Sequence, residues 1–140
     1  MKVSLRHEII FLLSFFCLIA GTLNYLLFNP NIVLFDWLRL SINPIYISNH
    51  FTRLFVKGYL SDLLWCSSLC LTTFNLFELN LINRYCKLFL LSLPIIFEFL
   101  QFPKIVKGVF DWNDIALYFI VIASFSIIFS IFKIRKYEKI

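Results

Sequence analysis

Four long apolar runs, separated by short polar stretches, set the organisation of this chain. About twenty helical residues at 1.5 Å each match the roughly 30 Å hydrocarbon core of a bilayer. The pattern therefore predicts an all-α, polytopic membrane protein with about four transmembrane helices in a single domain, residues 1–140. The predicted spans are Ile9 to Phe28, Tyr59 to Phe77, residues 88–103 (Leu88 to Phe102, followed by Pro103) and Ile115 to Phe132.

The four runs differ in how cleanly they fit a membrane span. The first carries no charge and stops at Asn29-Pro30, where proline removes a backbone donor and disfavours helix in the residue before it. The third is short and contains Pro94, which leaves open a kinked helix or one that crosses only part of the bilayer. The fourth carries no charge at all.

The first two runs are joined by a segment that is too charged and too short to span. Its apolar residues are interrupted by Asp36 and Arg39, and Asn43-Pro44 then breaks it. We predict that residues 31–50 lie in the headgroup layer, with Trp37 as an anchor.

Composition supports lipid as the solvent of this chain. Hydrophobic residues make up 61% and charged residues 15%, with a mean hydropathy of +0.86. A soluble domain is typically near half apolar and a quarter charged, so these charges are too few to cover a globular surface. The net charge of +5 accompanies no nucleic-acid-binding motif, and we attribute it to membrane topology.

The distribution of basic residues predicts the orientation, because Lys and Arg favour the cytoplasmic side. Eight of the thirteen fall on the side of the chain termini and five on the other side, which predicts that both termini are cytoplasmic. The eight are Lys2, Arg6, Arg84, Lys87, Lys133, Arg135, Lys136 and Lys139, and the five are Arg39, Arg53, Lys57, Lys104 and Lys107.

Cysteine and histidine give no sign of a metal site or a cofactor. Cys66 and Cys70 share a helix face, but no histidine or further cysteine stands nearby to complete a ligand set. We interpret the cysteines as buried free thiols, and His7 and His50 as isolated interfacial residues. With no nucleophile and base in a recognisable arrangement, we assign no catalytic residue, and the sequence favours a protein that is not an enzyme.

Polar residues inside or beside the spans are the candidates for function, because ionisable groups at membrane depth are costly and commonly mark functional sites. The topology brings several of them to one level, the outer membrane boundary, where they form a polar pocket. Lys57 and Lys104 also fall there and are available to pair with the acids. The candidate ligand-binding residues are Asp62, Glu98, Gln101, Lys107, Asp111 and Asp114.

Structural roles remain open for all four of these acids. Asp62 lies close enough to the membrane interface to snorkel toward water. Asp111 can serve as the N-cap of the fourth helix, with Asp114 favoured by the helix dipole. Glu98 can hydrogen-bond to another helix or pair with a lysine.

Glu98-x-x-Gln101 in the third predicted helix is followed by Phe110-Asp111 and by Asp114 near the start of the fourth. With this pattern, the stretch from Leu88 to Ile127 resembles VanZ-like membrane proteins. Glu98-Phe-Leu-Gln101 matches the E-x-x-Q of that family, and Phe110-Asp111-Trp-Asn-Asp114 matches its aromatic-Asp and the Asp that opens the next helix. The loop arginine of the family pattern is absent, and Lys107-Gly108 stands in its neighbourhood.

The resemblance implies an integral protein of the bacterial cytoplasmic membrane and cell envelope, in a family whose namesake is linked to glycopeptide resistance. We expect the outward pocket to bind a small envelope ligand, such as the headgroup of a lipid or of a lipid-linked glycan. The alternative is an accessory subunit of a larger membrane protein complex, or a homo-oligomer, with no chemistry of its own.

Overall fold

The computed structural model describes residues 5–28, 48–106 and 109–137, and every element in these ranges is helical. The all-α prediction is therefore confirmed. The helices are α1 (Leu5–Phe28), the short α2 (His50–Leu54), a π-helical segment (Phe55–Tyr59), α3 (Leu60–Glu78), α4 (Arg84–Gln101) and α5 (Trp112–Tyr137). The predicted interfacial segment, residues 31–50, lies almost entirely outside the described residues, as does Lys107.

Within the described part of the chain, three helical stretches are long and apolar enough to cross a bilayer: Leu5–Phe28, Phe55–Glu78 and Trp112–Ile131. Helix α4 has 18 residues and is the predicted third span, but it carries Arg84, Lys87 and Glu98. Pro94 lies inside α4 without ending it, as membrane helices allow when neighbouring groups satisfy the freed carbonyl.

The second span begins earlier than the sequence predicts. Residues expected in the connecting segment form α2 and the π-helical segment, which continue directly into α3. The carbonyl of Val56 in the π-helical segment accepts a bond from Asn24 Nδ2 of α1 at 2.8 Å. This side-chain bond supports a backbone geometry that hydropathy alone does not indicate.

Helix α3 occupies the centre of the bundle and packs against α1, α4 and α5. Its buried face joins residues of α4 and α5 in one core, in which the rings of Phe74 and Phe129 stack 4.9 Å apart. The buried core consists of Cys66, Cys70, Phe74, Leu91, Tyr118, Val121 and Phe129. Large apolar side chains elsewhere face outward, most densely on α1, as expected of helices surrounded by lipid.

A tight turn holds α3 and α4 antiparallel. Asn80 adopts a positive φ of 56° just after α3, and the N–H of Leu81 returns to the carbonyl of Leu76 at 3.0 Å, a helix-ending pattern that asparagine tolerates. Asn83 then caps α4 by accepting the backbone N–H of Cys86 at 2.8 Å.

Polar and small side chains line the contact between α1 and α3. Ser14 Oγ lies 2.6 Å from Thr72 Oγ1 and 2.9 Å from the Ser68 carbonyl oxygen, to which it donates. At one end His7 contacts the amide of Asn75, so the interpretation of His7 as an isolated residue is wrong. Hydrogen bonds and small residues are the usual means by which membrane helices associate, since lipid is as apolar as leucine.

Candidate functional site

Five of the six predicted site residues lie at one end of the bundle, which we call the acidic end. Here α3 begins, α4 ends and α5 begins. The five are Asp62, Glu98, Gln101, Asp111 and Asp114, and Lys107 falls outside the described residues. Antiparallel neighbours place these positions together, because the start of one helix must lie beside the end of the next.

Glu98 is the most deeply buried acid of this group, with 3% of its surface exposed. Its Oε2 accepts a bond from Gln101 Nε2 at 3.1 Å, and its Oε1 accepts the backbone N–H of Asp111 at 2.8 Å. The first contact is the i, i+3 pair predicted from sequence. The second ties the end of α4 to the start of α5, so Glu98 has a structural role in the connection.

The two aspartates that open α5 differ in their partners. Asp111 precedes the helix, and its carboxylate accepts the backbone N–H of Asn113 at 2.9 Å, which is the predicted N-cap geometry. Asp114 lies in the first turn, as the dipole argument requires. One of its oxygens, Oδ1, is buried without a hydrogen-bond partner.

Asp62 lies at the start of α3 and faces both neighbouring helices. Asp62 shares the lining of one cavity with Glu98 of α4 and Tyr118 of α5. The charge of Asp114 interacts with both of these acids. The acidic end therefore brings together four carboxyl groups, those of Asp62, Glu98, Asp111 and Asp114.

A cavity of about 460 Å³ opens beside these groups. Its walls come from α3 and α4, and Tyr118 of α5 and Val106 after α4 complete it. The polar lining residues are Asp62, Glu98, Gln101 and Tyr118, and the remaining ones are Trp65, Cys66, Leu69, Leu93, Pro94, Phe97 and Val106. This volume falls within the range of small-molecule sites, which are mostly apolar with a few placed polar groups.

The lysines expected to pair with the acids do not do so in the described ranges. Lys57 and Lys104 form no ion pair with the acids of the acidic end. The ion pair seen among the described residues joins Arg6 and Glu78, at 3.2 Å, at the opposite end of the bundle. Among the residues that the structure describes, no lysine or arginine lines the cavity.

Aromatic rings surround the start of α5. Phe110 packs edge to face against Trp112, with ring centroids 5.0 Å apart, and Phe99 and Phe102 of the α4 end join the same cluster. Trp112 and Phe102 are largely exposed. Such rings are typical of the membrane–water boundary.

Sequence reasoning missed most of the apolar lining and one polar group, Tyr118. The spacing along the sequence could have identified Tyr118, because it follows Asp114 by four residues and both therefore lie on one face of α5. Cys66 likewise follows Asp62 by four residues on α3, and Phe97 adjoins Glu98. All four cysteines are free thiols, as predicted, but only Cys66 and Cys70 are buried, whereas Cys17 and Cys86 are partly exposed.

Metal binding receives no support from the geometry: among the described residues, no three His, Cys, Asp or Glu side chains are grouped so as to hold an ion. Comparisons of the chain with protein-family models, with curated proteins and with solved structures found no match.

Proposed function

We propose that this chain is a VanZ-like protein of the bacterial cytoplasmic membrane whose acidic end faces outward and binds the headgroup of a lipid or of a lipid-linked glycan. The observation that carries the proposal is the mixed lining of the cavity. Carboxylates, an amide and a phenol lie beside Leu69, Leu93 and Phe97. An amphiphile presents the same combination, a polar head joined to apolar chains.

Access from the bilayer supports a lipid ligand. Phe97 borders the cavity and is 52% exposed on the outer surface of α4, so the cavity adjoins a surface that lipid would cover. An acyl chain in the bilayer can then remain in lipid while its headgroup reaches Asp62 and Tyr118. Such a route requires no opening of the bundle.

The outward orientation rests on charge and on aromatic residues. The termini carry most of the basic residues, which favours the cytoplasm for them. Since the acidic end is opposite to the end where α1 starts and α3 stops, it then faces the outside. Exposed rings at Phe102 and Trp112 fit a boundary position.

Blocking the cavity tests this function. We expect Leu93→Trp to fill the space between α3 and α4 and to remove the lipids that co-purify with the chain, as detected by native mass spectrometry from detergent. Leu23→Trp is the matched control, because Leu23 lies on the exposed face of α1 and does not line the cavity. Equal lipid retention by both variants would refute the proposal.

A functional test uses the acids themselves. Glu98→Gln and Asp114→Asn remove charge with little change in shape. We expect both variants to abolish lipid binding and the cellular phenotype that depends on it, while membrane insertion and protein abundance stay normal. An unchanged phenotype in both variants would count against the acidic end as the site.

The alternative, an accessory subunit, is favoured by a second depression on the opposite side of α3. A groove of about 640 Å³ lies between α1 and α3, and the residues that line it include Ser14, Ser68 and Thr72. A partner helix seated there would be detected by photocrosslinking from Phe15, which lines the groove. A stoichiometric crosslinked partner supports the subunit; crosslinks to lipid alone exclude it for this groove.

A further inference from the structure

We infer that the end of the bundle opposite to the acidic end binds the headgroups of anionic phospholipids in the membrane leaflet that it contacts. At this end, which we call the basic end, α1 and α4 begin and α3 and α5 end. The inference concerns a different surface from the cavity and does not depend on the proposed function. The basic residues of this end are Lys2, Arg6, Arg84, Lys87, Lys133, Arg135, Lys136 and Lys139.

Charge is divided unequally between the two ends of the bundle, where residues outside the described ranges are counted by their place in the sequence. The basic end has eight basic residues and three acids, Glu8, Glu78 and Glu138, whereas the acidic end and its connections have five of each. The whole net charge of +5 therefore belongs to the basic end. Even with every acid there paired, as Glu78 is with Arg6 at 3.2 Å, five positive charges remain at this end to attract an anionic partner.

Helix α5 carries part of this charge out of the apolar region. Its apolar run ends at Phe132, and the helix continues to Tyr137. Five further residues at 1.5 Å each extend the helix by about 7–8 Å, and the headgroup layer adds roughly 5–8 Å to each face of the hydrocarbon core. Lys133, Arg135 and Lys136 belong to this extension, so they lie at the depth of the lipid phosphates.

The start of α4 adds two basic residues at the same end. Arg84 is the first residue of the helix and is exposed. Lys87 Nζ lies 4.4 Å from the ring centroid of Phe77, which positions this ammonium group where the apolar side chains meet the headgroup layer. Tyr85 is 82% exposed, and tyrosine favours the membrane–water boundary. The basic residues therefore come from two helices at a common level.

The position of these residues favours a lipid over an anion in solution. The described basic residues of this end lie within about one helical turn of an apolar run, so the phosphates of the bilayer are always within reach. A cluster of roughly four to eight Lys and Arg beside a membrane helix is typical of binding to anionic lipid, with a gain in affinity of about fivefold for each residue. The sequence contains no nucleic-acid-binding motif.

The experiment compares phosphatidylglycerol, which is anionic, with phosphatidylcholine of the same acyl chains, which has no net charge. The delipidated full-length chain in detergent is titrated with each, and bound lipid is counted by native mass spectrometry. We expect phosphatidylglycerol to bind about tenfold more tightly or better, because it can engage several basic residues. The preference should weaken when ammonium acetate is raised from about 0.05 M to about 0.5 M, because salt screens surface charges. This salt series tests the unmodified chain and needs no variant.

The decisive variant combines Lys133→Gln with Lys136→Gln. We expect it to weaken phosphatidylglycerol binding by about fivefold or more and to leave phosphatidylcholine binding unchanged. Lys57→Gln combined with Lys104→Gln is the matched control, because it removes the same charge at the acidic end and should keep the preference. Lys133→Arg combined with Lys136→Arg retains the charge and should also keep it. Circular dichroism of each variant in detergent establishes that it is folded.

Three outcomes would overturn this inference. The first is equal binding of the two lipids, or a Gln variant at the end of α5 that keeps the full preference. The second is an equal loss in the Lys57 and Lys104 control, which would place the anionic lipid elsewhere. The third is displacement of phosphatidylglycerol by inorganic phosphate or a short RNA at the same phosphate concentration, which would assign the basic end to a soluble anion.

The inference and the proposed function fail separately. Washing in about 1 M sodium chloride, where the screening length is about 3 Å, should remove lipid held at the basic end and leave lipid held in the cavity. The lipid counted after this wash is the one that Leu93→Trp should remove. The same variant should leave the preference for phosphatidylglycerol at low salt intact.

Discussion

Replacing Gly21 with alanine tests how closely α1 must approach α3. A Cβ atom at this position would lie 2.8 Å from Cδ1 and 3.0 Å from Nε1 of Trp65, and 3.1 Å from Cβ of Leu64. Carbon atoms pack best at roughly 3.5–4.0 Å, so the added methyl must displace one of these groups by roughly half an ångström or more.

Neither neighbour can move freely. The Trp65 ring packs 5.4 Å from the ring of Tyr25 and donates from Nε1 to Thr22 Oγ1 at 3.3 Å. Cβ of Leu64 is fixed to the backbone of α3. The methyl must therefore either break the contacts of Trp65 or separate the helices, at the cost of about 1–3 kcal/mol typical of an overpacked interior.

The free energy of unfolding measures this effect. The purified chain is titrated with sodium dodecyl sulfate in mixed micelles, and helix content is followed by circular dichroism. Gly58→Ala is the matched control, because no atom lies within 4 Å of the added Cβ, and it should stay within about 0.5 kcal/mol of the parent. If the Gly21→Ala variant were as stable as the Gly58→Ala variant, the conclusion that α1 and α3 pack closely at Gly21 would be refuted.

Three further predictions concern hydrogen bonds that cross between elements. Asn24→Ala removes the donor to the Val56 carbonyl and to Ser61 Oγ, both at 2.8 Å, and should lower the free energy of unfolding by about 1–2 kcal/mol. Hydrogen exchange of the backbone amides in residues 55–61 should become faster. Unchanged exchange there would contradict the role of Asn24. Ser14→Ala removes the bond to the Ser68 carbonyl and should cost about 0.6–1.7 kcal/mol in the same titration; a stability equal to the parent excludes that contribution. Glu98→Ala leaves the N–H of Asp111 without its acceptor, so hydrogen exchange of that amide should accelerate by roughly tenfold or more. Asp62→Asn is the control and should leave the exchange rate of the Asp111 amide unchanged. Slow exchange in the Glu98 variant would disprove the link between α4 and α5.

Several contacts at the acidic end follow from local spacing. The i, i+3 relation predicts the bond between Glu98 and Gln101, and the position of Asp111 before an apolar run predicts its capping of α5. These rules work because they depend only on helix geometry over one turn. The same spacing rules place Tyr118 beside Asp114, a relation that becomes informative only once the cavity is located.

Contacts between segments that are distant in the sequence could not be predicted from local spacing. The partner of Glu98 Oε1 is the backbone N–H of Asp111, which depends on the path of the connection rather than on side-chain type. Likewise, the contact of His7 with Asn75 joins positions 68 residues apart. The π-helical segment is hydrogen-bonded to Asn24 of another helix, and the residues of the segment alone do not predict it.

The sequence by itself determined the all-helical class of this protein, the approximate limits of α1, α3, α4 and α5, and the end of the bundle at which its acids gather, but it did not predict α2 or the π-helical segment. Span length and charge count are local properties, and alternating helix direction then places the chain ends. Only the tertiary structure decided which face of each helix points inward, and so which side chains share the cavity. The physical reason is that lipid and protein interior are equally apolar, so hydrophobicity does not set the rotation of a membrane helix about its axis; close packing and interhelical hydrogen bonds do.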